Sequence, residues 1–159
     1  MTITVFLADD HAIVREGLAH ILNAQPDIEV VGHAEDGRSA IDAATELVPD
    51  VAVLDITMPP LSGVEAARRI QQACPGTEIV MLSMHATKEH ISRALKAGAR
   101  GYVLKECAGS ELIEAVRAVR AGHSYTSQQV SDAMMETFVD EPQEPLGPLS
   151  DREREVFYL

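Results

Sequence analysis

Five short apolar runs, each followed by a stretch of helical period, constrain the fold of this chain more than any other feature. The runs are Ile3–Ala8, Ile28–Ala34, Val51–Leu54, Glu78–Leu82 and Gly101–Leu104. They are continuously apolar rather than alternating, which suits strands of a parallel sheet covered on both faces. Between them, apolar side chains recur at helical spacing. Val14, Leu18, Ile21 and Leu22 form one face, and Ala40, Ile41, Ala44, Leu47 and Val48 the next. Val64, Ala67 and Ile70 follow, then Ile91, Ala94 and Leu95, then Leu112, Ile113, Val116 and Val119. Gly98 and Gly122 stand where helix C-caps belong. Strand–helix alternation repeated five times predicts an α/β fold over residues 1–122: a doubly wound, five-stranded parallel sheet of flavodoxin-like type.

After Gly122 the pattern changes. Ser127–Phe138 has the spacing of one more helix, with Val130, Met134, Met135 and Phe138 on a stripe fit for packing or for a dimer contact. Asp140–Pro148 is acidic and proline-rich, the composition of a linker. Ser150 and Glu153 have the spacing of a capping box that opens a new helix, running to Leu159. A helix of that length with nothing to pack against is not a domain. The reading is therefore a helical, then acidic linker over residues 123–149, and the first helix of a second, truncated domain over 150–159.

Charge narrows the function. The formal net charge is −12 over 159 residues, with −6 in residues 1–122, −5 in 123–149 and −1 in 150–159. Such a chain has no basic footprint for phosphate backbones, so non-specific nucleic-acid binding by this segment is not expected. No apolar run approaches the ~20 residues of a membrane span. The N-terminus has no basic n-region, and Asp9 and Asp10 interrupt its apolar run, so it does not read as a signal peptide. Cys74 and Cys107 lack the spacing of a disulfide framework or a zinc site. The cytoplasm is the expected location.

Carboxylates end two of the strand runs. Val51-Ala52-Val53-Leu54 leads into Asp55, and the first strand leads into Asp9 and Asp10. In a flavodoxin-like order the first and third strands are neighbours at the switch point, so all three carboxylates converge on one pocket. Like charges at close quarters repel unless a cation sits among them, and oxygen ligands with open positions suit Mg²⁺. Lys105, ending the fifth strand, supplies a fixed positive charge at the same edge, and Ser83, ending the fourth, a hydroxyl. A carboxylate nucleophile, Mg²⁺, an ammonium and a hydroxyl are the parts needed to accept a phosphoryl group as an acyl phosphate.

Asp9-Asp10, Asp55 with Met58-Pro59 and Gly63, Ser83, and Gly101-Tyr102-Val103-Leu104-Lys105 together resemble the receiver domain of bacterial two-component response regulators over roughly residues 3–122. The resemblance implies that Asp55 is the phosphoacceptor for a sensor histidine kinase. It implies that Asp10, Asp55 and the backbone carbonyl of Thr57 hold Mg²⁺, with Asp9 acting through water. Lys105 then pairs with the phosphoryl group, and Ser83 and Tyr102 form the pair that moves on phosphorylation. The stretch Pro148–Val156, with Leu82-Ser83-Met84-His85, is similar to the NarL/FixJ (LuxR-type) transcriptional regulators. That likeness implies DNA as a partner through a C-terminal helix-turn-helix domain, whose recognition helix is not in this chain, and a possible homodimer. Glu106 stands where many receivers have proline, and Met84 is larger than the residue common at its position, which predicts slower phosphoryl exchange with small donors.

Other readings fit less well. Asp9 and Asp10 by themselves suit a helix N-cap pair. The histidines at 11, 20, 33, 85, 90 and 123 show no metal-ligand spacing and are expected to be solvated or loosely packed. Aspartyl-phosphate hydrolases of the haloacid-dehalogenase type carry a second acidic residue two positions after the nucleophile, where this chain has Thr57, so no general acid stands there. A flavin carrier needs a glycine- and hydroxyl-rich loop where Asp9-Asp10-His11 stands. The chain is therefore expected to be a phosphoacceptor with slow self-dephosphorylation rather than an enzyme.

Overall fold

The computed structural model describes residues 2–58, 62–84, 87–127 and 130. Strands β1 (Ile3–Ala8), β2 (Ile28–Ala34), β3 (Val51–Asp55), β4 (Glu78–Ser83) and β5 (Gly101–Leu104) alternate with helices α1 (Ala12–Asn23), α2 (Gly37–Leu47), α3 (Gly63–Ala73), α4 (Lys88–Lys96) and α5 (Ala108–Arg120). All five expected strands and helices are present. A sixth strand, β6 (Tyr125–Thr126), adds to the edge, so the sheet has six strands in the order β2-β1-β3-β4-β5-β6, all parallel. Two residues are too few to show a period, which is why β6 is invisible in the sequence and falls in the stretch read as linker.

The pleat divides the core. Phe6, Ala8, Ala52, Leu54, Ile79, Met81, Tyr102 and Leu104 point to one face, against Ala40 and Ala44 of α2, Ala66 and Ile70 of α3, and Ile91 and Ala94 of α4. Val5, Leu7, Val51, Val53, Val80, Leu82 and Val103 point to the other, against Leu18 and Leu22 of α1 and Leu112, Val116 and Val119 of α5. Burial on both faces is the physical reason the strands carry no polar alternation.

The helix ends follow local chemistry. Asp36, Ser62 and Thr87 accept hydrogen bonds from the N–H groups of Ser39, Glu65 and His90, capping α2, α3 and α4. Gly98 and Gly122 adopt φ of +103° and +92° just past α4 and α5, as expected. The end of α2 departs from expectation. Val48 does not continue the buried face; it is the C-cap, at φ +47°, and 60% exposed. Leu47 is also largely exposed, although its Cδ1 reaches over Gly32. Pro49 forbids a helical conformation at Val48, so the chain turns through the left-handed region there.

Register sets the site. Ala8 lies opposite Leu54, Asp55 opposite Leu82, and Ser83 opposite Leu104. The residues that follow β1 and β5, and those that end β3 and β4, therefore leave the sheet at one edge. Beyond α5, the Ser127 N–H donates to the Tyr102 carbonyl, and the Ser127 hydroxyl accepts from the Leu104 N–H. Val130, fully buried, joins the cluster that holds Tyr102 and Leu104. The remainder of the expected helix to Phe138, the linker over 140–148 and the capping box at Ser150–Glu153 lie outside the described residues, as do Pro59 and His85.

Candidate functional site

Asp55 ends β3 with 1% of its surface exposed, although it is ionisable. Its Oδ2 lies 3.0 Å from the Lys105 ammonium, and its Oδ1 accepts a hydrogen bond from the Thr57 N–H at 3.2 Å. Asp9, 2% exposed, lies 3.1 Å from the same ammonium through Oδ2. That oxygen accepts no aligned hydrogen bond, so the contact is an ion pair that leaves a buried lone pair unsatisfied. The carbonyl of Asp9 accepts a 2.7 Å hydrogen bond from Arg15 of α1. Asp10 stands at the mouth of the pocket, about a third exposed.

The expected convergence of Asp9, Asp10, Asp55 and Lys105 is thus present. Asp9 and Asp10 are not the N-cap of α1. That position is His11, which makes no side-chain cap bond, while Asp9 Oδ1 accepts from the His11 N–H at 2.8 Å. The ring of His11 is 60% exposed, as expected of a solvated histidine, but it is not without partners. Its Nδ1 lies 3.2 Å from Asp9 Oδ1, 3.2 Å from Asp10 Oδ1 and 3.3 Å from the Lys105 ammonium. Spacing alone gave no hint of this, since the contact depends on how the β1–α1 turn folds back.

Electrostatics follow from burial. Burial pushes the Asp55 carboxyl up; the Lys105 hydrogen bond pulls it down, the charge of Asp9 pushes it up again, and the net position is raised. Burial pulls the Lys105 ammonium down, but its hydrogen bonds to Asp55 and Asp9 outweigh this and hold it above the usual lysine range. Three carboxylates against one ammonium leave the pocket net negative. One donor atom from each of Asp9, Asp10, His11 and Asp55 lies within 4.8 Å of the others. With the unsatisfied Asp9 oxygen, this donor set fits a small, hard divalent cation.

The turn after β3 is sterically fixed. A Cβ at Gly63 would collide with the carbonyl of Asp55, so only glycine lets α3 start this close to the strand end. Met58 is fully buried beneath the turn. On the next strands, Ser83 and Tyr102 are both fully buried. Burial raises the Tyr102 phenol, and a hydrogen bond with Ser83 draws it partly back, which puts the two hydroxyls in contact. Met84, the next residue, is 70% exposed beside the pocket strands.

A β2-β1-β3-β4-β5 parallel order, with carboxylates leaving β1 and β3 and a lysine leaving β5, defines a signalling receiver domain. The chain belongs to the response regulator receiver domain family, whose model matches residues 5–117. It is 40% identical to the oxygen regulatory protein NreC of Staphylococcus epidermidis over 98% of its own length and 75% of that protein. It is 41% identical to the transcriptional regulatory protein YxjL of Bacillus subtilis over 97% of this chain and 73% of that one. A crystal structure of a LuxR-family two-component response regulator from Aurantimonas sp. matches with a TM-score of 0.84 at 35% identity, covering 88% of this chain and all of that one. The isolated receiver domain of RcsB from Salmonella enterica, in the presence of phosphomimetic BeF3⁻, matches with a TM-score of 0.76 at 29% identity, over 84% of this chain and 99% of that one. These likenesses make it a response regulator of the NarL/FixJ type.

Proposed function

We propose that Asp55 accepts a phosphoryl group from a sensor histidine kinase and that the resulting charge, through Ser83 and Tyr102, controls a C-terminal DNA-binding domain and hence transcription in the cytoplasm. The observation that carries this reading is the Lys105 ammonium 3.0 Å from Oδ2 of the buried Asp55, in a pocket with two further carboxylates. In the transfer, a carboxylate oxygen of Asp55 bonds to phosphorus as the bond from phosphorus to the donor's imidazole nitrogen breaks. The leaving nitrogen keeps the electron pair. Lys105 then stands beside the new phosphoryl oxygens. Asp10, Asp55 and the Thr57 carbonyl are the residues that would hold Mg²⁺, with Asp9 through water. The ion, when bound, neutralises charge on the transferring group.

The phosphorylated side chain carries roughly −2 charge. Lys105 is the nearest cation, and the Ser83 hydroxyl at the end of β4 is a donor within reach of the same sheet edge. A shift of Ser83 breaks its contact with Tyr102, which is buried against α4 and the segment holding Val130. Disturbance there leads away from the pocket and toward the C-terminal part of the chain. DNA as the eventual target is supported by relatives such as the RcsB response regulator of Salmonella typhimurium, a structure of which is described in terms of conformational dynamism for DNA interaction. Thr57 in the position where an aspartyl-phosphate hydrolase places its acid supports an acceptor over a turnover enzyme.

Incubation with Mg²⁺ and acetyl phosphate tests the reading. The intact mass is expected to rise by one phosphoryl group in the native chain and not in Asp55→Asn. A gain that survives Asp55→Asn would overturn it.

A further inference from the structure

Strand β5 delivers the pocket lysine, since Lys105 follows its last residue, Leu104. On one side β5 pairs with β4 as far as Leu104, but on the other it has only the two residues of β6. Over those two residues the ladder is regular. Gly101 lies opposite Tyr125 and Tyr102 opposite Thr126, and the N–H groups of Tyr125 and Ser127 donate to the Arg100 and Tyr102 carbonyls at 3.1 Å. Continued in the same register, a parallel ladder would send the Leu104 N–H to the Ser127 carbonyl. The chain turns there instead, and that carbonyl accepts from the Val130 N–H at 3.0 Å.

A side chain takes the missing carbonyl's place. Ser127 Oγ accepts a hydrogen bond from the Leu104 N–H at 3.1 Å. Ser127 is 1% exposed and Val130 is fully buried in the cluster that holds Tyr102 and Leu104, so this edge is closed to solvent. Without the hydroxyl, the Leu104 N–H becomes a buried donor with no acceptor, and the end of β5 is held from the β4 side alone. The next residue, Lys105, must place its ammonium 3.0 Å from Asp55 Oδ2 and 3.1 Å from Asp9 Oδ2. Ser127 itself lies beyond residues 5–117, the stretch that the receiver family model matches.

We propose that Ser127 is a positioning residue for Lys105. Its hydroxyl stands in for a neighbouring strand and fixes the end of β5, so that the ammonium is aimed at the oxygens of a phosphoryl group on Asp55. A small misplacement of a charge that must meet the transferring group is costly in rate, even when the residue responsible does not touch that group. The inference rests on Asp55 being the phosphoacceptor. It goes further in naming a residue outside the pocket, past the last helix of the receiver domain, that sets the pocket's geometry.

Ser127→Ala tests this against Ile28→Ala, which opens the core in β2 at the far edge of the same sheet. Two readouts are taken: the phosphorylation rate at saturating acetyl phosphate, and the fluorine-19 spectrum of bound beryllofluoride, whose fluorines stand where phosphoryl oxygens would. Ser127→Ala is expected to lower the rate about tenfold and to shift a bound fluorine resonance, while Ile28→Ala stays within about twofold and leaves the spectrum unmoved. If Ser127→Ala does not fold, Val130→Ala, which loosens the same turn but keeps the hydroxyl, is expected to shift the resonance in the same direction by less. A folded Ser127→Ala with native rate and spectrum, or an Ile28→Ala that changes both as much, would overturn Ser127 as a positioning residue and leave the phosphoacceptor standing. So would an unmoved spectrum in Val130→Ala where it is the variant used. Failure of the native chain to bind beryllofluoride and to take up phosphate would overturn Asp55 as acceptor, and this inference with it.

Discussion

The Lys105 ammonium lies 3.0 Å from Oδ2 of Asp55, joining the ends of β5 and β3 across the end of the intervening strand β4. The pair is almost wholly withdrawn from water, Asp55 at 1% exposure and the Lys105 side chain at 12%. Burial of a charge is costly even when it is paired, and Asp9 adds a like charge to the same pocket. The arrangement is therefore held at some expense in stability, as functional sites commonly are.

Asp55→Asn is expected to raise stability at neutral pH, because it removes one of the buried like charges. The sign follows from the direction of the shift. The Asp55 carboxyl is raised in the fold, so the folded state binds its proton more tightly than the unfolded chain. The native chain thus has the full benefit below the ordinary carboxylate pKa and loses it as pH rises through the raised folded value. Urea midpoints of the two proteins should coincide most closely in acid and separate as the pH climbs to neutrality, with the variant the more stable.

Gly63→Ala is expected to destabilise by about 3 kcal/mol or more and to abolish phosphorylation, since its Cβ meets the Asp55 carbonyl backbone and neither backbone can yield without moving the site. Gly17→Ala is the matching control. Gly17 lies inside α1 with nothing near its Cβ direction, so alanine there should stabilise by roughly 0.5–1 kcal/mol. Urea denaturation of both variants checks the contrast.

Val48→Gly is expected to stabilise the fold by about 1 kcal/mol. A β-branched residue at φ +47° is strained, and its side chain, 60% exposed, gives up little packing when removed. The N–H of residue 48 keeps its 2.8 Å bond to the Ala44 carbonyl. A higher thermal midpoint with an unchanged acetyl-phosphate rate is the predicted result.

Met84→Ala is expected to raise the rate of phosphorylation by acetyl phosphate a few-fold. The side chain follows buried Ser83 and is itself 70% exposed, so it is placed to hinder a donor approaching the pocket without contributing to the core. An unchanged rate with normal stability would remove steric hindrance as an account of Met84.

Much of the fold was legible because two-sided burial leaves a strong trace. Val5 to Ala8 and Val51 to Leu54 have no polar residue to satisfy, so they are apolar without a break. The acidic pocket was legible for the opposite reason, since Asp9, Asp10 and Asp55 interrupt those runs where a structural strand gains nothing from a charge. What escaped was set by three-dimensional return of the chain. β6 is two residues long and exists only because Tyr125 and Thr126 fall beside Gly101 and Tyr102. His11 looked like one of six unremarkable histidines until the turn after β1 brought its ring to both aspartates and to Lys105, far away in sequence. Val48 looked like a helix-face residue because Leu47 and Val48 fit the period, whereas Pro49 ends the helix.

The most direct test of the central claim is to locate the acyl phosphate. The chain is phosphorylated with Mg²⁺ and acetyl phosphate, reduced with borohydride, which converts an aspartyl phosphate to homoserine, and mapped by peptide mass spectrometry. Conversion confined to position 55 is the predicted result. Conversion at Asp9 or Asp10 instead, or none at position 55 in a chain that has gained a phosphoryl group, would contradict it.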